Sequence, residues 1–276
     1  MTLWEALVTA TFLHHALAAG ILASLGCGVM GSFVVVKRIG FLAGGIAHAV
    51  LGGMGAAYYL GKNPLAGALI AALLAALLIG WVNQRWQERE DTLISALWSM
   101  GMAVGIIFIS QTPGYNIDLM SYLFGNILMV SQEQLYLMIA VDAVIIFTVT
   151  LFYKQFLAIS FDEEFARLRG VPVTFFYLLL LCMVALTVVL LIQIVGLILV
   201  IALLMLPAAI AGQYMRSLAR MMLLAAILGT LFTSAGIVIS YEPDFPVGPT
   251  IVLVAGGAYL FSTLSIGLRQ HWRIRR

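Results

Sequence analysis

Residues 173–212 contain no charged side chain, and a stretch of that length is about twice what one helix needs to cross a ~30 Å hydrocarbon core. It reads as two crossings joined by a tight hairpin, with Gln193 and Gly196 the only hint of a break. Apolar runs of span length recur along the chain, at 11–36, 41–60, 64–82, 92–110, 133–153, 173–190, 193–212, 217–239 and 249–268. Open strands cannot satisfy their backbone in lipid, so the crossings are helical. The expected fold is all-α and polytopic, with about nine transmembrane helices (8–10) in a single domain over 1–276. With 63% of residues hydrophobic and 9% charged, against roughly 25% charged in a soluble domain, the chain lacks the polar surface of a water-soluble globule.

Charge placement supports nine spans. If the loops after spans one, three, five and seven share a side with the C-terminus, that side collects all of the 14 Lys and Arg residues except Lys62. By the positive-inside rule it is cytoplasmic, which places the N-terminus outside and the C-terminus inside. Merging 173–212 into one crossing would put Arg216, Arg220 and the basic tail on the outer side. Residues 3–10, with Trp4 and Glu5, suit a short interfacial helix, and no basic n-region marks a cleaved signal. Cys27 and Cys182 fall in apolar spans and imply no disulfide framework.

A nucleotide-hydrolysing chain would need a phosphate-cradling loop. The Gly61-Lys62 pair runs into Asn63-Pro64 without the upstream glycine. HExxH, GxSxG and clustered CxxC are absent from the sequence, so proteolysis and a closed zinc site have no support. The chain is read as a transport subunit and not as an enzyme.

The most informative segment is GGIAHAVLGGMGAA, 44–57. Gly44, His48, Gly52 and Ala56 share one i, i+4 stripe, and Gly45, Ala49, Gly53 and Ala57 the stripe beside it. Small residues so spaced admit close helix packing, so His48 faces protein or a cavity. An ionisable group there is a functional candidate, and imidazole is a common transition-metal ligand; a histidine bonding a neighbouring helix is the structural alternative. FDEEFARLRG, 161–170, has acids before bases and a Gly170/Pro172 stop. It is either a solvated loop helix or a docking helix for a cytoplasmic partner. Asp142, inside span five, is either a pathway residue or an acid reaching water near the interface. Asp118 suits a cap or turn; His14 and His15 suit the outer interface, and His271 the lipid headgroups.

These residues resemble the membrane permeases of the ABC-3 family. The likeness runs through GSFVVVKRIGFLAGGIAHAVLGG (31–53), DLMSYLFGNIL (118–128), FDEEFARLRGVPV (161–173), VGLILVIALLMLPAAIA (195–211) and SYEPDFPVGPTIVLVAG (240–256). The resemblance implies a type II ABC importer-like permease that takes up zinc, manganese or iron with a separate ATPase and a metal-binding receptor. It implies that His48 matches the family histidine lining the metal path. It also implies that Asp162, Glu163, Glu164, Phe165, Ala166 and Arg167 lie near the coupling helix that meets the ATPase. One departure stands out: the family usually carries an acid one turn before the histidine, where this chain has Gly44. Metal then passes with fewer protein ligands, or Asp142, Cys27 or Met54 compensates, or the substrate differs.

The expectation is therefore a homodimeric permease of the cell membrane, with the ion path between its copies and alternating access driven by the ATPase. It has no permanent cofactor, and its partners are the bilayer, the ATPase and the receptor, with no nucleic acid. Zinc is favoured over manganese because imidazole suits zinc and Gly44 removes an oxygen ligand. The alternatives are a permease for a metal chelate or a cobalamin-like substrate, an ion-coupled secondary carrier with Asp142 as proton site, and a non-transporting scaffold.

Overall fold

The computed structural model describes residues 10–85, 90–112 and 125–274. Asp118 and nearly all of the segment at 3–10 lie outside the described residues. The helices are α1 (Thr11–Val36), α2 (Gly40–Tyr59), α3 (Pro64–Arg85), α4 (Glu90–Ser110), α5 (Gln132–Leu151), α6 (Tyr153–Phe161), α7 (Glu163–Leu168), α8 (Val173–Val195), α9 (Leu197–Tyr214), α10 (Leu218–Tyr241) and α11 (Val247–Ile274). All but the short α6 and α7 are long and apolar enough to cross a bilayer, which makes nine spans among the described residues.

The long apolar stretch divides at Gly196, as two crossings require. Gly196 sits at φ 79°, ψ 160°, a conformation essentially restricted to glycine. The chain reverses there. Gly26 of α1 lies against Thr187 of α8, and Gly31, further along α1, lies against the Leu204 carbonyl of α9. The break is a single residue, so α8 runs on to Val195 where 190 was expected, and α9 begins at Leu197 where 193 was expected. Gln193 is helical; the turn needs only the glycine. Gly125 comes up against the backbone of Val195 and Gly196, which ties the segment before α5 to this hairpin. The start of α5 is set by a capping box, in which the Ser131 hydroxyl accepts from the Gln134 amide while the Gln134 side chain accepts from the Ser131 amide.

Helix α1 is a central strut. Its Gly20, Ser24 and Gly28, spaced i, i+4, i+8, meet Thr233, Gly229 and Ala226 of α10. A Cβ on Gly28 would stand 2.6 Å from the Ala226 nitrogen, so the two backbones are nearly in contact. Helix α8 is the most enclosed, with 72% of its span buried, whereas α4, at 11%, lies at the periphery. Peripheral apolar faces of this kind belong against lipid or a second subunit.

Side-chain contacts group the helix ends. At one end Lys37, after α1, pairs with Glu163 of α7 at 2.6 Å, and Asn83 of α3 donates to the Tyr177 hydroxyl of α8 at 2.9 Å. At the other end His15 of α1 donates from Nδ1 to the Val130 carbonyl at 3.2 Å. The last turn of α9 is joined to the middle of α11 by Ser262 donating to Gln213 Oε1 at 2.6 Å and Gln213 donating to Thr263 at 3.0 Å. A reporter fused after Arg276 is expected on the cytoplasmic side and one inserted near Asp244 outside; activity of both on one side would break this arrangement.

Candidate functional site

Two regions gather the residues singled out by the sequence. The first is the interface of α2 with α4. Gly45 packs on Ile94, Gly52 on the Gly101 carbonyl and Gly55 on the Gly105 carbonyl. Added Cβ atoms would stand 2.9 Å from the Gly101 oxygen at Gly52 and 2.6 Å from the Gly105 oxygen at Gly55. In return a Cβ on Gly101 would stand 2.7 Å from the Ala49 Cα. On its other side α2 meets α3, where Gly53 lies against the Gly67 carbonyl and Ala71. Small residues on both faces let α2 lie wedged between α3 and α4 without side chains holding them apart.

His48 sits within this wedge and is 8% exposed. Its ring stacks on Trp98 of α4, with centroids 3.9 Å apart and planes 13° from parallel. No hydrogen bond to its ring nitrogens is made among the described residues, so the imidazole is held by packing while its nitrogens stay uncommitted. Gly44, one turn earlier, differs from the other glycines of the segment: a Cβ there would meet only Trp98 Cζ3, at an ordinary 3.6 Å. Close packing therefore does not require glycine at position 44.

Asp142 lies elsewhere. It projects from α5 toward Gly26 of α1, where a Cβ would stand 2.6 Å from Oδ1, and it is bordered by Met138, Ile145, Thr187 and Leu190. Its Oδ2 is buried without a hydrogen-bond partner among the described residues. The Thr187 hydroxyl donates instead to the Met183 carbonyl of its own helix. His48 and Asp142 thus occupy different helix interfaces, and among the described residues no three His, Cys, Asp or Glu side chains come together as a cation cluster.

The second region is α7. Asp162 caps it, accepting from the Phe165 amide at 2.9 Å. At the other end Gly170 (φ 76°) donates to the Arg167 carbonyl and Val171 to that of Ala166, both at 3.0 Å, the paired bonds of a Schellman stop. Glu163 and the fully buried Ala166 anchor one face to the bundle through Lys37 and the core. Glu164, Phe165, Arg167 and Leu168 are exposed, Leu168 at 86%. Of the six residues implicated by the sequence, three thus serve within the helix or bundle (Asp162, Glu163, Ala166), and three are free to meet something else.

Sequence reasoning missed Trp98, Leu168 and the glycine pair in α4. The pair was legible: Gly101 and Gly105 form a GxxxG inside an apolar span, with Trp98 one turn before it. Leu168 carried no such signal, since an apolar residue in a short loop helix does not reveal which side of the helix is anchored.

The comparisons with known proteins agree across the chain's length. The description of the ABC 3 transport family matches residues 9–266. A membrane protein of Synechocystis sp. is 49% identical over 265 residues, covering 95% of this chain and 94% of that protein. The manganese transport system membrane protein MntC of Halalkalibacterium halodurans is 35% identical over 277 residues, covering 99% and 95%. The solved structure of PsaBC from Streptococcus pneumoniae in complex with Fab includes a chain that superposes with a TM-score of 0.84 at 34% identity, covering 94% of this chain and 93% of that one. With nine apolar helices among the described residues and a match from residue 9 to residue 266, this chain is a membrane-spanning member of the ABC 3 transport family.

Proposed function

We propose that the chain is the permease subunit of an ATP-driven importer of divalent transition-metal ions, acting as a homodimer with a separate ATPase and an extracytoplasmic metal-binding receptor. The observation that carries this reading is the near-complete match to a relative named as a manganese transport system membrane protein. His48 adds chemical support, as an imidazole inside the bundle whose nitrogens have no hydrogen-bond partner among the described residues. A transported ion must bind well enough to enter and weakly enough to leave. One imidazole per subunit suits that requirement better than a closed four-ligand cage.

The donor set favours zinc, since imidazole suits zinc and position 44, one turn before His48, carries glycine in place of a carboxylate. Manganese is the second reading, favoured by the relative's name. Proteoliposomes containing the chain, a partner ATPase and a metal receptor should accumulate radioactive metal only with ATP. Competition between zinc and manganese then ranks the substrates. Accumulation without the ATPase would instead support an ion-coupled carrier, for which Asp142 is the first residue to test. Flux of a metal chelate without flux of the free ion would support the chelate permease.

Coupling to the ATPase is assigned to the free side of α7. Phe165 and Leu168 offer exposed apolar surface, flanked by Glu164 and Arg167. Reversing a charge at such a rim brings like charges together at a cost of up to several kcal/mol. Glu164→Lys or Arg167→Glu should therefore reduce co-purification of the ATPase while inserted permease stays at the parental level. Normal co-purification of both variants would make α7 a solvated loop helix.

A further inference from the structure

Beside α7, and bordered by the exposed Arg167, lies a polar cavity of about 260 Å³, with room for a polyatomic anion and several waters. Its wall brings together three cations, Lys37, Arg38 and Arg167, against the single carboxylate of Glu163. Lys37 is already occupied, donating to Glu163 and to the Ile159 carbonyl at 2.6 and 2.7 Å. Arg38 and Arg167 make no ion pair among the described residues. On the same wall the Gln84 side-chain nitrogen is buried with no hydrogen-bond partner among the described residues. Among the described residues the cavity thus presents unspent positive charge and an unspent donor, and what complements both is an anion with several acceptor oxygens.

Two further observations point the same way. The α1–α2 link closes as a Schellman stop, with Arg38 donating to the Val35 carbonyl at 3.2 Å and Ile39 to that of Val34 at 3.0 Å. Arg38 occupies the left-handed position, at φ 60°, where glycine is the unstrained choice. The chain therefore holds a guanidinium on the cavity wall at a position where the backbone alone would favour glycine. Depth is marked by the neighbours of Gln84 on α3: Trp81 is half exposed, and the Arg85 guanidinium lies 5.8 Å over its ring. An aromatic–arginine pair of this kind belongs at the headgroup level of a membrane, where basic pockets between helices take anionic head groups.

We propose that this cavity binds a phosphate-class anion at the basic end of the bundle, with Arg38, Arg167 and Gln84 as its principal contacts. The phosphate of an anionic lipid and free inorganic phosphate share that chemistry, and the test separates them. The full-length permease would be released from mixed micelles of phosphatidylglycerol and phosphatidylcholine in equal amounts, and retained lipid counted by native mass spectrometry. The parent should retain phosphatidylglycerol selectively. Arg38→Gly should lower that retention about fivefold, the loss expected for one basic residue near an anionic surface, while its melting temperature stays level or rises because the left-handed strain is removed. Gln84→Leu should also lower retention, and it leaves the charge untouched. Arg220→Gln removes an exposed cation elsewhere on the chain and should change nothing. Selective lipid retention that inorganic phosphate cannot displace identifies the lipid source. Saturable binding of inorganic phosphate, lost in Arg38→Gly and Gln84→Leu, identifies a free anion. The proposal fails if the parent and Arg38→Gly retain phosphatidylglycerol equally and neither binds phosphate. It fails equally if Arg220→Gln loses as much as Arg38→Gly, or if neither anion binds and Arg38→Gly instead weakens capture of the ATPase, since the cavity would then receive an acidic group of that partner. None of these readouts requires metal transport, so the cavity and the transport function can fail separately.

Discussion

Metal uptake by a His48→Ala permease is expected to fall at least tenfold, with the amount of inserted protein unchanged. Loss of groups that only support a metal ligand already costs roughly 10–100-fold in affinity or activity, and a group contacting the ion should cost no less. The fold should tolerate the change, because what disappears is the stack on Trp98, and an aromatic pair contributes about 0.5–1.5 kcal/mol beyond its burial. Alanine alone leaves one ambiguity, since a loosened Trp98 could disturb the α2–α4 interface and slow transport indirectly. His48→Phe resolves it by keeping a flat ring against Trp98 while removing the nitrogens. If His48 meets the ion in transit, both variants fail in uptake. Should His48→Phe transport at the parental rate while His48→Ala does not, the ring packs and the ion path lies elsewhere, with Asp142 the next residue to change.

The span pattern was legible because a bilayer imposes a length and an apolarity on every crossing. The hardest division, within 173–212, was also the one fixed by a single residue. Gly196 reverses the chain by its backbone conformation, so the hairpin leaves almost no polar signature; of the two residues that hinted at a break, Gly196 makes the turn and Gln193 stays helical. Charge gave the grouping of the helix ends, since Lys37 and Glu163 lie far apart in sequence yet had to share a side. Contacts between helices were less legible. The small-residue stripe of 44–57 was evident, but which helix each stripe meets depends on partners whose own signals, Gly101 and Gly105, are just as generic. Periodicity could nominate His48 as facing inward. It could not find Trp98, because a tryptophan well inside an apolar span fits lipid contact as readily as a stack on a buried imidazole.

The segment at 161–170 shows the same limit. Composition described its ends well: Asp162 caps it and Gly170 stops it, both from local chemistry. Which residues are free to meet a partner is a property of the bundle. Glu163 is drawn inward by Lys37 and Glu164 is not, although sequence alone gives adjacent glutamates no reason to differ.

Gly44→Asp is expected to fold and to acquire a stronger response to manganese, whereas the same substitution at Gly53 is expected to abolish stable insertion. At Gly53 a Cβ would collide with the Gly67 carbonyl and with Ala71, and neither can move without parting α2 from α3. Overpacking of a tight core typically costs 1–3 kcal/mol, and backbone-on-backbone contact leaves little room for the relaxation that limits such losses. At Gly44 the nearest atom, Trp98 Cζ3, would be 3.6 Å from the new Cβ, so the carboxylate enters without displacing a helix. It would be placed one turn from His48, giving the ion an oxygen donor beside the imidazole, and manganese prefers oxygen. A carboxylate within a span costs about 2.5–3.5 kcal/mol when nothing pairs with it, so metal-free Gly44→Asp should melt below the parent. Manganese should then restore stability, because a ligand that binds only the folded state raises stability by RT ln(1 + [L]/Kd). The measurement is the melting temperature of each protein with and without manganese. Equal shifts in the two proteins would mean that positions 44 and 48 do not address one ion, and that the glycine at 44 has no bearing on which metal this permease admits.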